Sequence, residues 1–376
     1  MKPIKRQKVL VGMSGGVDSS VTACLLMQQG YEVIGIHLRF WVDPIAPIEN
    51  TADPFPENKC CTLEGLAKTR KMADKLGIPF YVLNFEEPFK EKIVDYFIEG
   101  YKSGITPNPC VECNRNIKFG LLLEKMNELG AKYIATGHYA RITKDPDGIL
   151  KLHAAKDKTK DQSYFLYTLT QEKLKHILFP IGEYEKTQVR EMAKNFGIDE
   201  MNNQKESQNL CFFPEKTQGP FLKRHLPKTA FKPGQILTSK GEIIGHHTGL
   251  PNYTIGQRKG LGIGGMKGFE HMEGKGWYVT GLDKTKNAVI VGPENELYSE
   301  KLTVGDLSFV SGNAPAGALQ IEAKIRSRSF RQPAVLTINK KAEVHFTRPQ
   351  RAITPGQSVV FYDGDTVIGG GIIKPE

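Results

Sequence analysis

Two short stretches and one distant cysteine carry the residue types that could do chemistry. The run Val9-Leu10-Val11-Gly12-Met13-Ser14-Gly15-Gly16-Val17-Asp18-Ser19-Ser20 sets three glycines and three hydroxyls between an apolar run and helically spaced apolar residues. Glycine lacks the Cβ that would keep a ligand from the backbone, so Ser14-Gly15-Gly16 can bend tightly and turn its amides outward. With the exposed N–H groups and positive end of a following helix, they form a seat suited to phosphate. There is no Gly-x-x-x-x-Gly-Lys-Ser/Thr spacing and no lysine at the helix start, which excludes a Walker A loop. The second stretch is Thr106-Pro107-Asn108-Pro109-Cys110-Val111-Glu112-Cys113-Asn114-Arg115-Asn116-Ile117-Lys118-Phe119. Cys110 and Cys113 are spaced to share a metal or a disulfide, and Arg115, Lys118 and a helix N-terminus would raise their thiolate fraction. Cys211 lies far along the chain, after Glu206-Ser207-Gln208-Asn209-Leu210.

The elements that must position these residues alternate. Lys8 to Met13 reads as a strand and Val17 to Gln29 as a helix stopped by Gly30; Glu32 to Leu38 reads as a second strand. In such a right-handed βαβ unit ligands sit at the carboxyl ends of the strands, where the glycine loop and Leu38 fall, so Leu38 is a candidate to flank a base. Ser-Gly-Gly-Val-Asp-Ser directly after an apolar strand resembles the PP-loop of the ATP-pyrophosphatases, enzymes that cut ATP between its α and β phosphates; the bland alternative is a turn that only connects strand and helix. Arg39 to Lys59 is an excursion rich in proline and acid, long enough for a lid or docking loop. A helix over Glu64 to Leu76, a strand over Phe80 to Phe85 and a helix from about Glu87 to Tyr101 follow. The strand Lys132 to Thr136 leads into Gly137-His138-Tyr139-Ala140-Arg141 on the same sheet edge as the first loop. Lys160-Asp161-Gln162-Ser163-Tyr164-Phe165-Leu166 is expected to open an apolar helix, and Lys186 to Phe196 is another, stopped by Gly197.

The expected fold class is therefore α/β, with a doubly wound parallel-sheet PP-loop domain (adenine nucleotide α-hydrolase-like) over residues 1–214. A small central domain follows over 215–285, where the glycine-rich basic stretch Gly256 to Gly265 lacks the strand-loop-helix context of a nucleotide site. Short β-rich segments over 286–376 point to a closed β-barrel. The 376 residues carry 51 Lys and Arg against 41 Asp and Glu, a net charge of +10 that favours a polyanionic partner. All 6 cysteines lie at or before Cys211, which argues against a disulfide framework and for local thiol or metal chemistry in the first domain. No apolar run is long enough to cross a bilayer, and no signal-peptide core is visible near Met1, so a cytoplasmic enzyme without membrane attachment is expected.

Taken in order, the glycine loop, the Asn108 to Phe119 segment, Gly137 to Arg141, Lys160 to Ser163, the Cys211 segment and Ile255-Gly256-Gln257-Arg258-Lys259-Gly260 resemble the tRNA-specific 2-thiouridylase family over nearly the whole chain. The resemblance implies an enzyme that uses ATP and Mg²⁺ to replace the C2 oxygen of the wobble uridine in tRNA by sulfur. It places ATP on Gly12, Met13, Ser14, Gly15, Gly16, Val17, Asp18, Ser19, Leu38 and Gly137. It makes Cys113 the catalytic nucleophile and Cys211 the persulfide carrier, loaded by a persulfide or sulfide donor protein. The target base falls to Asn108, Pro109 and Cys110, and tRNA contacts to His138, Lys160, Asp161, Gln162, Arg326, Ser327 and Gln357. One departure stands out: many members carry an aspartate with a base role where this chain has Cys110. Cys110, Cys113 and Cys211 could instead hold a [4Fe–4S] cluster with one open iron. Cys60-Cys61 with Cys110 and Cys113 is an alternative structural zinc set, Cys24 reads as a buried hydrophobe and Lys68-Thr69-Arg70-Lys71 as a solvated helix face. The rival functions are another ATP-pyrophosphatase, of lysidine synthase or ligase type, which has no need for Cys113 and Cys211, and a non-catalytic RNA-binding module retaining a nucleotide site.

Overall fold

In the strand Lys8–Gly12 (β1), Val9 and Val11 point into one apolar cluster and Leu10 into another, and all three are fully buried. That two-sided burial marks a central strand of a parallel sheet. The computed structural model describes residues 6–46, 63–198, 210–215, 217–263, 276–315 and 317–375; Cys60, Cys61 and most of the 39–59 excursion lie outside the described residues.

β1 pairs in parallel with Glu32–Arg39 (β2) on one side and Tyr133–Thr136 (β4) on the other. Phe80–Asn84 (β3) and Ile177–Leu178 (β7) complete a five-stranded sheet of order β3-β2-β1-β4-β7. The order reverses between β1 and β4, which makes the carboxyl ends of those two strands the natural ligand crevice. Residues of the helices Val17–Gln28, Leu63–Leu76 and Lys186–Asn195 form the cluster on one face. The other face is covered from helical segments between Glu86 and Lys102, from Pro109 to Glu128, and from Gln218–His225. Phe89, Phe97, Phe212, Phe213 and Phe221 stack edge-on and face-on within that second cluster.

The central domain is a four-stranded sheet, Tyr278–Asp283 (β10), Ala288–Gly292 (β11), Gly234–Thr238 (β8) and Ile243–His247 (β9) in that order. The third sheet runs Tyr298–Phe309 (β12), Ala342–Arg351 (β15), Gln332–Ile338 (β14), Ala318–Lys324 (β13), Ser358–Asp363 (β16) and Thr366–Ile373 (β17). Pairing of β12 with β17 closes these six strands into a barrel. A hairpin from the first part of the chain, Ala140–Lys144 (β5) and Leu150–Ala154 (β6), then adds to β17.

The structure corrects one expected element. No helix opens at Lys160; only a short 3₁₀ turn, Ser163–Phe165, is formed. The Asp161 carboxylate accepts from the backbone of Ala155 and Ser163 and from the Ser163 hydroxyl, which turns the chain locally. Tyr164, Leu166, Tyr167 and Leu169 are then buried in one cluster with Val360 and Tyr362 of the barrel, so their apolar character serves an interdomain contact instead of a helix stripe. The helix expected from Glu87 to Tyr101 is present but contains a wider π-helical section, Lys90–Val94. Phe97 lies at the heart of the aromatic cluster, 5.3 Å from the Phe212 ring and 5.0 Å from Tyr101 between centroids. Phe97→Ala is expected to destabilise the first domain by about 3–5 kcal/mol, read as a lower urea midpoint for the loss of its helical signal.

Candidate functional site

The glycine loop ends β1 and begins the helix Val17–Gln28. Met13 donates its amide to Ile36 O at 2.8 Å, which ties the loop's start to β2. Gly15 takes φ +76°, a conformation that costs glycine nothing, and a Cβ there would lie 2.9 Å from the Thr69 hydroxyl. The Ser19 hydroxyl accepts from Ser14 N at 3.3 Å and donates to Gly16 O at 3.1 Å, closing the loop on itself. No side chain caps the first turn of the helix, so its amides remain aimed at the seat, and Ser14 is exposed at the rim. Gly137, just after β4, presses on the same turn: a Cβ there would stand 2.9 Å from Asp18 C and Ser19 N. Leu38 lies half-buried on β2 opposite Leu83. The glycine loop and Gly137 thus meet at the carboxyl ends of β1 and β4, with Leu38 near the end of the neighbouring β2 and Met13 and Val17 buried in the apolar cluster below.

Reasoning from sequence missed two side chains here. Asp18 accepts from the Tyr139 hydroxyl at 2.8 Å and from Lys186 Nζ at 2.8 and 2.7 Å. Lys186 is the first residue of a helix 168 positions further on, so no local spacing could have linked it to the loop.

The cysteine stretch is built as a helical turn, Pro109–Glu112, continuing into a wider section, Cys113–Leu121. Asn108 caps it, its side chain accepting from Val111 N, and Pro109 fits the first position, where no N–H is needed. Cys113 is buried, Cys110 exposed and Cys211 half-buried; Cys113 and Cys211 both border the aromatic cluster on the second face of the sheet. Among the described residues no group of three His, Cys, Asp or Glu side chains is arranged to hold a metal ion, so Cys110, Cys113 and Cys211 are not arranged as a cluster site. Cys24 is buried, and burial pushes its thiol up to about 11.

The loop ahead of the cysteines is held by the barrel. Thr106 N donates to Pro355 O at 2.9 Å, and the Gln357 amide donates to Thr106 O at 2.9 Å and Pro107 O at 3.2 Å. Gln357 therefore spends its donor on this loop. Other residues expected at the tRNA also have internal partners: the Asp161 carboxylate holds its own turn, the Gln162 side chain accepts from Tyr139 N, and Arg326 donates to Ala352 O and the Thr354 hydroxyl. His138 is buried with Nδ1 2.7 Å from the Thr136 hydroxyl, and burial, with Lys118 adding to it, drives its pKa well below the usual histidine value, so it is neutral near pH 7. Lys160 and Ser327 are half-buried at the surface.

Exposure and thiol acidity rank the cysteines. With iodoacetamide at mildly alkaline pH, Cys110 should label first, Cys113 about tenfold more slowly or worse, and Cys24 slowest, as peptide mass spectrometry would report.

Residues 7–215 match the family described as the tRNA methyl transferase HUP domain, 219–293 its PRC-barrel domain, and 299–373 the aminomethyltransferase beta-barrel domain. The chain is 48% identical over 370 residues to tRNA-specific 2-thiouridylase MnmA 1 of Caldanaerobacter subterraneus subsp. tengcongensis, covering 98% of each. It is 46% identical over 376 residues to tRNA-specific 2-thiouridylase MnmA of Acetivibrio thermocellus, covering 99% of this chain and 100% of that one. This similarity from end to end shows that the chain belongs to the tRNA-specific 2-thiouridylase family.

Proposed function

We propose that this protein spends ATP to replace the C2 oxygen of the wobble uridine of tRNA by sulfur. The observation that carries the reading is the pairing of a glycine phosphate seat on one sheet edge with Cys113 and Cys211, which border a single apolar cluster of the same domain. A carbonyl oxygen is a poor leaving group. Transfer of AMP to the uridine O2, with pyrophosphate leaving from the seat of Ser14, Gly15, Gly16 and Ser19, makes it a good one. Both Asp18 oxygens accept from Lys186 Nζ, so Mg²⁺ would enter with ATP on its phosphate oxygens and neutralise their charge there.

Sulfur arrives on Cys211 as a persulfide supplied by a donor protein. Its terminal sulfur attacks C2 and AMP departs, leaving the uridine joined to Cys211 through a disulfide-type S–S bond. The Cys113 thiolate attacks Cys211 Sγ, that bond breaks, and 2-thiouridine is released with a Cys113–Cys211 disulfide. The two electrons come from the cysteines, and an external dithiol restores them for the next turnover. Asn108 and Pro109 frame the base, and Cys110, exposed at the mouth, lacks the carboxylate that a base role needs. The relay needs only Cys113 and Cys211, and the steps above are written through these two thiols; the rival is a [4Fe–4S] cluster on Cys110, Cys113 and Cys211. The basic surface holds the tRNA, and function in the cytoplasm follows from that substrate.

Cys113→Ala and Cys211→Ala should each abolish 2-thiouridine, measured by nucleoside mass spectrometry, with tRNA affinity within about threefold of wild type because neither thiol pairs with phosphate. Wild-type thiolation in either variant sinks the relay. Anaerobically purified, iron-free protein should retain full activity; activity that tracks bound iron would instead favour the cluster. tRNA affinity should fall steeply with salt as phosphate contacts release counterions.

A further inference from the structure

The loop differs from other phosphate-binding loops in holding no cation of its own, yet the fold delivers one. Lys186 is nearly buried, and its ammonium sits 2.7 and 2.8 Å from the two Asp18 carboxylate oxygens in the first turn of the helix that the loop begins. Its backbone is fixed as firmly. Lys186 N donates to the Asp157 carboxylate at 3.0 Å, and Glu185 with Gln188 forms a reciprocal cap at the same helix start. Val189 and Ala193 of that helix are buried in the cluster that also contains Val17 and Val21. The positive ends of two helices and an ammonium therefore converge on one crevice, with Asp18 as the acid paired to that ammonium. A salt bridge of this kind contributes little to stability by itself, since desolvating both charges offsets most of their attraction.

We propose that Lys186 is the cation of the phosphate seat, its ammonium contacting the β and γ phosphate oxygens of ATP and then the departing pyrophosphate. This rests on the nucleotide reading given above and deepens it. The ammonium is held by Asp18 and the Tyr139 hydroxyl shares that carboxylate, so the side chain is fixed at the first turn of the helix that the loop begins. AMP has neither the β nor the γ phosphate and would not meet Lys186.

The test is calorimetric titration of the full chain with ATP, inorganic pyrophosphate and AMP, each alone. Lys186→Met should weaken ATP and pyrophosphate by about tenfold or more, the loss of a charge-assisted hydrogen bond, and AMP by less than about threefold. The double variant Asp18→Asn/Lys186→Met leaves net charge unchanged and no carboxylate without its cation, and Asp18→Asn alone reads the carboxylate's own share; the double variant should fold, bind AMP and bind pyrophosphate about tenfold more weakly than Asp18→Asn alone. Equal losses for AMP and ATP in both variants would make Lys186 a structural brace and overturn the proposal. Unchanged pyrophosphate affinity would overturn it as well. Failure of the wild type to bind ATP at all would bring down the nucleotide reading along with it.

Discussion

The parallel pairing of β1 with β4, which sets Gly12 opposite Thr136, is the constraint on which the rest depends. It brings the turn after β4 directly beneath the first turn of the helix after β1, at a separation that leaves no room for a Cβ at residue 137. Because Gly137 permits that approach, Tyr139, two residues on, reaches Asp18, and Asp18 in turn holds Lys186. One backbone contact thus fixes three side chains from three separate parts of the chain. The register of a buried parallel strand cannot slip by a residue without reversing its two faces, which holds so fine an arrangement in place.

The cysteine side of the site depends on the far end of the chain in a comparable way. The barrel turn around Pro355, Gly356 and Gln357 holds the backbone of Thr106 and Pro107, and the Tyr164 hydroxyl donates to Ser358 O nearby. A Cβ at Gly356, whose φ is +89°, would lie 2.8 Å from Thr106 O, so the two segments meet at backbone distance. The loop that presents Asn108, Cys110 and Cys113 is therefore a joint product of the first and third domains. Residues such as Gln357 and Asp161 act first as positioning groups, and their side-chain atoms already have partners within the protein.

What could be read in the sequence was whatever is encoded locally. The glycine loop, the helices stopped by Gly30, Gly77 and Gly197, and the short barrel strands all follow from period and punctuation within a few residues. The missing helix at Lys160 shows where that fails: Tyr164, Leu166, Tyr167 and Leu169 are apolar because the barrel covers them, and periodicity cannot say what does the covering. Lys186 was legible only as a helix start, since its partner Asp18 is remote in sequence. The hairpin Ala140–Lys144 and Leu150–Ala154 has a local signal in its Asp145-Pro146-Asp147-Gly148 turn, whereas its docking on β17 joins strands too far apart in sequence for any local pattern to show.

That hairpin has a consequence for how the molecule comes into being. His153 meets Thr366 across 213 positions, and β6 presents an unpaired edge until the final strand exists. During synthesis the first domain emerges with this edge open, and its barrel partner follows only 213 positions later. Contacts of such long range are slow to form and leave a strand edge exposed to other chains meanwhile. The strand Thr366–Ile373 therefore acts as a seal on the first domain: a molecule truncated before Thr366 would lose part of the barrel and also leave an adhesive edge on the domain that carries the glycine loop.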